Sequence, residues 1–97
     1  MPKKYHVYIM TNKHQTVLYT GMTGSIIDRG WQHKHRLVDG FTKRYNCTKM
    51  VYLEEYEYPQ DAIDREKQIK GWTRKKKENL INELNPEWKD LYEEVLR

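Results

Sequence analysis

The chain has 97 residues, which is enough for one hydrophobic core and too few for two, so we expect a single domain over residues 1–97. Charged residues make up 33% of it, yet the aromatic content of 12% argues against an intrinsically disordered chain, because buried aromatic rings offset chain entropy. The formal net charge of +4 favours an anionic partner such as a nucleic acid.

Hydrophobic periodicity predicts seven elements in the order ββαβααα. In chain order they are a strand over 5–10, a strand over 17–21, a helix over 25–38, a strand over 49–56, and helices over 59–72, over 73–84 and from 86 onward, the last capped by Asn85. The first two strands are joined by a short polar loop, which is typical of an antiparallel hairpin. The sequence therefore predicts an α+β fold with a small three-stranded antiparallel sheet flanked by helices.

Two tyrosines lie on the strands of this hairpin. Alternation places Tyr8 on the opposite face of its strand from Val7 and Ile9, and it places Tyr19 on the same face as Gly21. Packing is the ordinary role of a strand tyrosine, but its hydroxyl can also orient a water, or act as a base where a nearby cation lowers its pKa. Because Gly21 has no Cβ, we expect a nucleic-acid phosphate to approach its backbone.

Two polar residues lie beside the apolar stripe of the first predicted helix. Arg29 and His33 are four residues apart and therefore project from the same side of the helix. A hydrogen-bonded, semi-buried histidine and a surface arginine are the ordinary interpretations of each residue alone. Gly30 costs a helix about 1 kcal/mol relative to alanine, which indicates that another group approaches its backbone closely. Thr23 or Ser25 is the predicted N-cap.

The second predicted helix carries a carboxylate on its apolar side. Glu66 falls on the stripe formed by Ala62 and Ile69. A carboxylate in such a position is costly unless it is paired, protonated or bound to a metal. Two hypotheses follow, namely a salt bridge to an internal arginine or lysine, and a ligand for a divalent metal. Misplaced polar groups on two separate helices favour a pocket that they share.

A basic segment joins the second and third predicted helices. Its seven cations are Arg65, Lys67, Lys70, Arg74, Lys75, Lys76 and Lys77, with Glu66 as the one acid among them. This density favours sequence-independent contact with a phosphate backbone, and the alternative is an ordinary solvated surface. Lys43 and Arg44, before the third strand, form a second candidate contact with nucleic acid.

The single cysteine, Cys47, excludes an internal disulfide and a cysteine-based metal framework, so a reducing compartment is expected. No apolar run reaches the roughly 18 residues that span a membrane, and the N-terminus lacks the hydrophobic core of a signal peptide. We therefore expect a soluble cytoplasmic protein with no membrane partner.

Together these segments resemble the GIY-YIG nuclease superfamily. Val7-Tyr8 stands for the first motif and Tyr19-Thr20-Gly21 for the second. Small single-domain bacterial members also carry a REKQ-hydrophobic-K-x-W run and a late NPEW, which here occupy residues 65–72 and 85–88. The chain is similar as well to the nuclease domain of the excision-repair C subunit and to the catalytic domains of homing endonucleases. Thr20, where an apolar residue is usual, is a departure from the family pattern.

The resemblance implies a GIY-YIG fold and a metal-dependent endonuclease that acts on DNA, in repair or recombination. It also implies Mg²⁺ or Mn²⁺ as the cofactor, without a small-molecule cofactor. The residues that match the family's catalytic positions are Tyr8, Tyr19, Arg29, His33 and Glu66. In the mechanism so implied, Glu66 holds the metal, Tyr8 helps to activate a water, and Arg29 stabilises the developing charge.

Two other classes of function are compatible with the sequence. One is a non-catalytic nucleic-acid-binding module with the same fold and the same basic segment. The other is a protein-interaction domain that docks through a face of the last helix containing Trp88 and Tyr92. Only the enzyme needs a divalent metal to cut, and only phosphate contacts give binding that weakens steeply with salt.

Overall fold

The computed structural model describes residues 3–97. Its elements are β1 (Tyr5–Thr11), β2 (Leu18–Thr23), α1 (Ile26–Lys34), α2 (Phe41–Arg44), β3 (Lys49–Tyr56), α3 (Pro59–Lys70), α4 (Arg74–Leu84) and α5 (Tyr92–Val95). The α+β class and the three strands are confirmed, whereas the four-residue helix α2 is an addition to the predicted order. Among the helices formed by residues 3–97, none is long and apolar enough to cross a membrane.

The strands form one antiparallel sheet in the order β2-β1-β3, so β1 is paired on both sides. Tyr8 of β1 lies opposite Gly21 of β2 and Leu53 of β3. Residues 7–11 of β1 are all buried, because helices cover the two faces of the sheet. Tyr8 is therefore held in the most enclosed strand of the molecule.

The two faces of the sheet bury different hydrophobic clusters. The cluster under α3 and α4 consists of Val7, Ile9, Val51, Tyr52, Ala62, Ile69 and Ile81. The cluster under α1 and α5 consists of Tyr8, Met10, Ile26, Cys47, Met50 and Tyr92. The predicted alternation along β1 is thus confirmed, and Tyr8 points to the α1 side.

A bulge interrupts the pairing of β1 with β3. Ile9 lies opposite Tyr52, but Met10 lies opposite Met50, so Val51 is an extra residue in β3. Met50 and Tyr52 consequently face opposite sides of the sheet, and each joins a different cluster.

The close approach expected at Gly30 is made by the ring of Tyr92. A Cβ added to Gly30 would lie 2.5 Å from Cδ1 of Tyr92, too close for any side chain to fit. The Tyr92 hydroxyl donates to the backbone carbonyl oxygen of Ile27 at 2.8 Å. Gly30 therefore allows α5 to pack directly on the backbone of α1.

The first helix is shorter than predicted. It ends at Lys34 rather than at residue 38, because Arg36 adopts a left-handed φ of 58° and reverses the chain. Ser25 occupies the N-cap position, but its hydroxyl donates to the carboxylate of Asp28 instead of accepting from a backbone amide.

The predicted start of the last helix at residue 86 is wrong, since α5 begins at Tyr92. Asn85 does not begin a following helix but is the C-cap residue of α4. Its side-chain amide donates to the backbone carbonyl oxygens of Val51 and Lys89 at 3.0 and 2.8 Å, and its side-chain oxygen accepts from the Lys89 amide. Trp88 has a φ of 53°, which a right-handed helix excludes. Asn85 thus orders a turn that lies against β3.

Candidate active site

Tyr8 and His33 form a buried, hydrogen-bonded pair under α1. The Tyr8 hydroxyl oxygen lies 2.8 Å from Nε2 of His33, and both side chains are almost fully enclosed. Burial, followed by the nearby Tyr19, raises the pKa of Tyr8, so its phenol keeps its proton at neutral pH. Burial and the positive charge of Arg29 lower the pKa of His33 to about 4, so its imidazole is neutral. The pair joins a proton donor to a neutral, basic nitrogen.

The second imidazole nitrogen of His33 is held by Thr42 of α2. The Thr42 hydroxyl oxygen lies 3.2 Å from Nδ1 of His33 and 3.5 Å from the backbone carbonyl oxygen of Val38. Thr42 is itself buried. The central strand and α2 therefore fix the histidine from its two sides.

Tyr19 completes an aromatic cluster around the same imidazole. The ring centroids of Tyr8 and Tyr19 lie 5.4 and 5.8 Å from that of His33. The ring of Tyr19 also stacks on Phe41 of α2 at 6.1 Å. Both motif tyrosines are therefore brought to one side of the sheet.

Gly21 admits the phenol of Tyr8. A Cβ added to Gly21 would lie 2.5 Å from both Cζ and the hydroxyl oxygen of Tyr8, which is its neighbour across the two strands. This reason for the motif glycine differs from the predicted approach of a phosphate. A contact between Gly21 and nucleic acid stays a prediction.

Arg29 lies near this aromatic cluster, and the donors of its guanidinium are available for hydrogen bonding. Its charge affects the pKa values of both Tyr8 and His33. Among residues 3–97 no side-chain hydrogen bond or salt bridge engages its guanidinium, in contrast to those of Arg65 and Arg74. It also lines an open pocket of about 440 Å³ formed by α1 and the segment that follows it, whose lining does not include Tyr8 or His33. A half-buried guanidinium with free donors is well suited to bind a phosphate.

Glu66 projects from α3 and is close enough to Tyr8 for its negative charge to raise the pKa of that phenol. Its side chain is 21% exposed, and its salt-bridge partner within residues 3–97 is Lys70, four residues along the helix, at 3.7 Å. An exposed helical pair of this kind contributes only about 0.3–0.5 kcal/mol. The carboxylate of Glu66 is therefore largely free to bind a ligand.

The internal salt bridge considered for Glu66 is formed instead by Glu54 of β3 and Arg65 of α3. Arg65 donates to both carboxylate oxygens of Glu54 at 3.0 Å, and the hydroxyls of Tyr52 and Tyr56 donate to the same carboxylate. Burial alone would raise the pKa of Glu54, but these donors outweigh it and the pKa is lowered. The neighbouring arginine thus pairs with β3, and Glu66 has no such partner within residues 3–97.

The donors near Glu66 fit a hard divalent cation. Within residues 3–97 no three His, Cys, Asp or Glu side chains form a group that could enclose a metal ion. Mg²⁺ is commonly bound through one or two carboxylates, with waters and substrate phosphates as its remaining ligands. A single accessible carboxylate such as Glu66 meets that requirement, so the residues present fit Mg²⁺ or Mn²⁺.

Arg74 was predicted to contact nucleic acid, but its guanidinium is engaged inside the protein. It donates to the backbone carbonyl oxygens of Thr16 at 2.8 Å and Gln15 at 2.5 Å, and to the carboxylate of Glu78 at 2.8 Å. These bonds fasten the loop between β1 and β2 to the start of α4. The Arg74 side chain is nevertheless 42% exposed, and its contact with nucleic acid stays a prediction.

The remaining predicted cations form two groups. The first, on α3 and α4, consists of Lys67, Lys70, Lys75, Lys76 and Lys77, all exposed except the half-buried Lys77. The second is Lys43 and Arg44, which follow Thr42 on α2. The first turn of α4 contains no acidic residue, although a helix N-terminus favours negative charge. Bound phosphate groups would offset the repulsion between the basic side chains and the positive end of the helix dipole.

The docking face proposed for the last helix is contradicted by the structure. Tyr92 is only 5% exposed because it packs on Gly30. Trp88 lies outside α5 and packs against the α3 and α4 cluster, with its ring nitrogen donating to Asn82 at 2.6 Å. Neither ring is free to serve as the centre of a protein interface.

Comparison with known proteins identifies the family. The profile of the GIY-YIG catalytic domain matches residues 4–79, a span that contains every candidate catalytic residue. The chain belongs to the GIY-YIG family. The GIY-YIG domain is generally a nuclease fold, and its nucleases typically use divalent metals and act on DNA.

Small GIY-YIG proteins similar to this chain are known from several bacteria. A UPF0213 protein of Staphylococcus saprophyticus is 34% identical over 80 residues, which cover 82% of this chain and 96% of that protein. A UPF0213 protein of Staphylococcus aureus is 38% identical over 66 residues, covering 68% and 80%. The solution NMR structure of a UPF0213 protein from Bacillus halodurans covers 90% of this chain and 92% of its own, with 23% identity and a TM-score of 0.59, and it shows the same fold.

Two residues of the GIY-YIG site, Phe41 and Thr42, were missed by the sequence analysis. Both belong to α2, which at four residues is too short to show a helical period. The available signal was Gly40, whose φ of 97° marks the sharp turn that introduces α2.

Proposed function

We propose that this GIY-YIG protein is a metal-dependent endonuclease that hydrolyses phosphodiester bonds of DNA. The observation that carries the proposal is the buried contact of 2.8 Å between Tyr8 and His33, next to an arginine with free donors. Burying a phenol and an imidazole costs free energy unless each forms a hydrogen bond. Apolar side chains carry no such cost, so they are the usual choice where a core has only a structural role. Their pairing beside Arg29 and Glu66 supports a reactive site.

In the proposed reaction Tyr8 takes a proton from the attacking water while its own hydroxyl proton passes to Nε2 of His33. His33 has a free nitrogen for this proton because burial and Arg29 lower its pKa to about 4 and leave the imidazole neutral, and the same lowering means that it holds the proton only transiently. The water oxygen bonds to phosphorus as the bond from phosphorus to the leaving sugar oxygen breaks. The leaving oxygen then takes a proton from solvent, and His33 returns its proton through Tyr8 to solvent, which restores the neutral pair.

Two cationic groups act on the scissile phosphate. Arg29 donates hydrogen bonds to the non-bridging oxygens, where negative charge must be stabilised in the transition state. Glu66 would hold the metal, and a divalent cation bound there supplies charge neutralisation at the phosphate and the leaving oxygen. Tyr19 presents a second hydroxyl on the same side of the sheet, suited to orient the water or a phosphate oxygen.

The binding surface proposed for DNA consists of two groups of cations. The lysines of α3 and α4, with Lys43 and Arg44 of α2, supply charge for the phosphate backbone. Lysine contacts of this kind position the duplex without reading its sequence. The target sequence is therefore not specified by this surface.

Replacement of the proposed metal ligand tests the function. Glu66→Gln keeps the size of the side chain but removes its charge, so we expect metal-dependent nicking of supercoiled plasmid to be abolished. Because Glu66 pairs with Lys70 only at the helix surface, the melting temperature should hardly change. Nicking with Mg²⁺, with Mn²⁺ and without metal is measured beside thermal melts and DNA binding.

Glu54→Gln is the matched control, since it makes the same substitution at a carboxylate away from the site. It breaks a partly buried pair and should lower stability by about 1–3 kcal/mol while metal-dependent cutting persists below the melting temperature. Wild-type nicking by Glu66→Gln would end the metal-ligand assignment. DNA binding by the wild type without cutting in either metal would identify a non-catalytic module.

A further inference from the structure

The hydroxyl of Thr42 contacts two different groups, and together they decide where its proton lies. The backbone carbonyl oxygen of Val38, at 3.5 Å, can only accept a hydrogen bond. If the single hydroxyl proton of Thr42 points to Val38, a lone pair of the same oxygen faces Nδ1 of His33 at 3.2 Å. Only a protonated Nδ1 satisfies that lone pair.

The same assignment satisfies the other side of the imidazole. With the proton on Nδ1, Nε2 of neutral His33 carries a lone pair and accepts from the Tyr8 hydroxyl at 2.8 Å. The opposite tautomer would direct an N–H at the Tyr8 oxygen, and the phenol proton would then have no acceptor within residues 3–97. It would also turn the Thr42 hydroxyl away from Val38.

We propose that Thr42 is a positioning residue that holds His33 in its Nδ1–H tautomer, so that Nε2 is the nitrogen that receives the proton of Tyr8. The catalytic consequence rests on the proposed endonuclease function, whereas the tautomer does not. Threonine is suited to this role, because its hydroxyl readily bonds to the carbonyl four residues earlier and is thereby oriented. Its burial excludes competition from bulk water.

Among the groups that face the imidazole, Thr42 acts on the Nδ1 side and Tyr8 on the Nε2 side. Tyr8 and Tyr19 approach from the sheet, Arg29 from α1 and Thr42 from α2. Arg29 is the charged member of this set, and its charge disfavours a second proton on the ring. Among residues 3–97, Thr42 is the hydrogen-bond partner of Nδ1.

Nitrogen-15 NMR of protein labelled at histidine tests the tautomer directly, because each ring nitrogen reports whether it carries hydrogen. The His33 signals are assigned by their loss in His33→Gln. We expect Nδ1–H in the wild type and in Thr42→Ser, and a shift toward Nε2–H in Thr42→Val, which keeps the side-chain shape without the hydroxyl. A wild-type Nε2–H tautomer, or an unchanged spectrum in Thr42→Val, overturns the proposal. If Thr42→Val does not fold, Thr42→Ala takes its place, with the same shift toward Nε2–H expected and an unchanged spectrum again overturning the proposal.

Single-turnover cleavage tests the consequence. Thr42→Val should slow cutting by about 10- to 100-fold at unchanged DNA affinity, and Thr42→Ser should restore it. Full activity of Thr42→Val with an altered tautomer would refute the positioning role. A wild type that shows the Nδ1–H tautomer but cuts no DNA would refute the proposed function and leave the control of His33 by Thr42 standing.

Discussion

At the scale of single residues, two arginines differ in whether the guanidinium group forms hydrogen bonds with the rest of the protein. Arg74 donates to two carbonyl oxygens and a carboxylate, whereas Arg29 forms no such bond within residues 3–97. Free donors next to the Tyr8 and His33 pair leave Arg29 available to a substrate. Substitution of each arginine therefore separates an effect on catalysis from an effect on stability.

Arg29→Ala is expected to slow single-turnover cleavage by a factor of ~10² or more without lowering the melting temperature, because its guanidinium does not hold another part of the described chain in place. Arg29→Lys should rescue only in part, since an ammonium group cannot reproduce a planar pair of donors. Arg74→Ala, the control, should lower stability and leave the chemical step intact. A wild-type rate in Arg29→Ala would remove this residue from the mechanism.

Thr20, the residue that departs from the second family motif, has a buried hydroxyl without a hydrogen-bond partner among residues 3–97. Valine has the same shape and no hydroxyl, so Thr20→Val should raise the free energy of unfolding by about 1–2 kcal/mol. Thr20→Ser, which keeps the hydroxyl and removes the methyl group, should be less stable than the wild type. Urea unfolding measures both. Destabilisation by valine would reveal a buried water bound to the hydroxyl.

At the scale of elements, the strands and the long helices were predictable because their side chains repeat with a clear period. The segment 36–46 was not, since its course depends on left-handed φ values at Arg36, Gly40 and Asn46 and not on any apolar pattern. The turn after Asn85 was predicted wrongly for the same reason. It is held by side-chain bonds to β3, a distant strand that local sequence does not reveal.

The candidate site, too, was predictable from the sequence only where a motif contains its residues. Tyr8, Tyr19, Arg29 and His33 follow motif spacing, and the structure brings them together. Thr42 contacts His33 only because α2 folds back against α1. Its separation from His33 along the sequence does not predict that contact. The role of Gly21 likewise became visible only once the register of β1 and β2 was known.

Packing of α5 on α1 gives a prediction at this scale. Gly30→Ala should destabilise the protein by about 1–3 kcal/mol through a clash with Tyr92, even though alanine is the better helix former by about 1 kcal/mol. The cost should shrink in the background of Tyr92→Leu, because the smaller side chain leaves room. Thermal and urea unfolding measure the difference.

Gly71→Ala is the control, because a Cβ there would meet its nearest neighbour, the backbone oxygen of Gln68, at an ordinary 3.5 Å. It should be neutral or slightly stabilising. Equal stability of Gly30→Ala and the wild type would mean that α5 moves away from α1 at little cost.

At the scale of the whole molecule, charge is distributed unevenly. Exposed lysines lie at the C-terminal end of α3 and the start of α4, whereas α5 has two acidic residues in its first turn. A net charge of +4 arranged in this way favours one orientation toward a polyanion. The basic side is also the side on which Glu66 lies.

Replacing Lys75, Lys76 and Lys77 together by Gln should weaken DNA binding about equally for all sequences. The slope of log K against log salt should become less steep by about 0.9 for each phosphate that the variant no longer neutralises. Cleavage at saturating DNA should change little, because these side chains position the backbone rather than act on the reacting group. Binding isotherms at several salt concentrations provide the measurement.

Lys89→Gln is the control on the acidic side, where Lys89 pairs with Glu87. An unchanged salt slope in the triple variant would make these lysines an ordinary solvated surface. The DNA-binding residues would then be expected around Lys43 and Arg44.

The hydrogen-bond chain from Tyr8 through His33 to Thr42 connects parts of the protein that differ in local stability. Its first member lies in a strand paired on both sides, and its last in a four-residue helix between exposed turns. Segments of the second kind open far more often than the molecule unfolds, so Thr42 is released many times for each global unfolding event. If Thr42 positions His33 as proposed, the fraction of molecules ready to accept a proton follows the folding equilibrium of one short segment, and heating would reduce it well before the sheet melts.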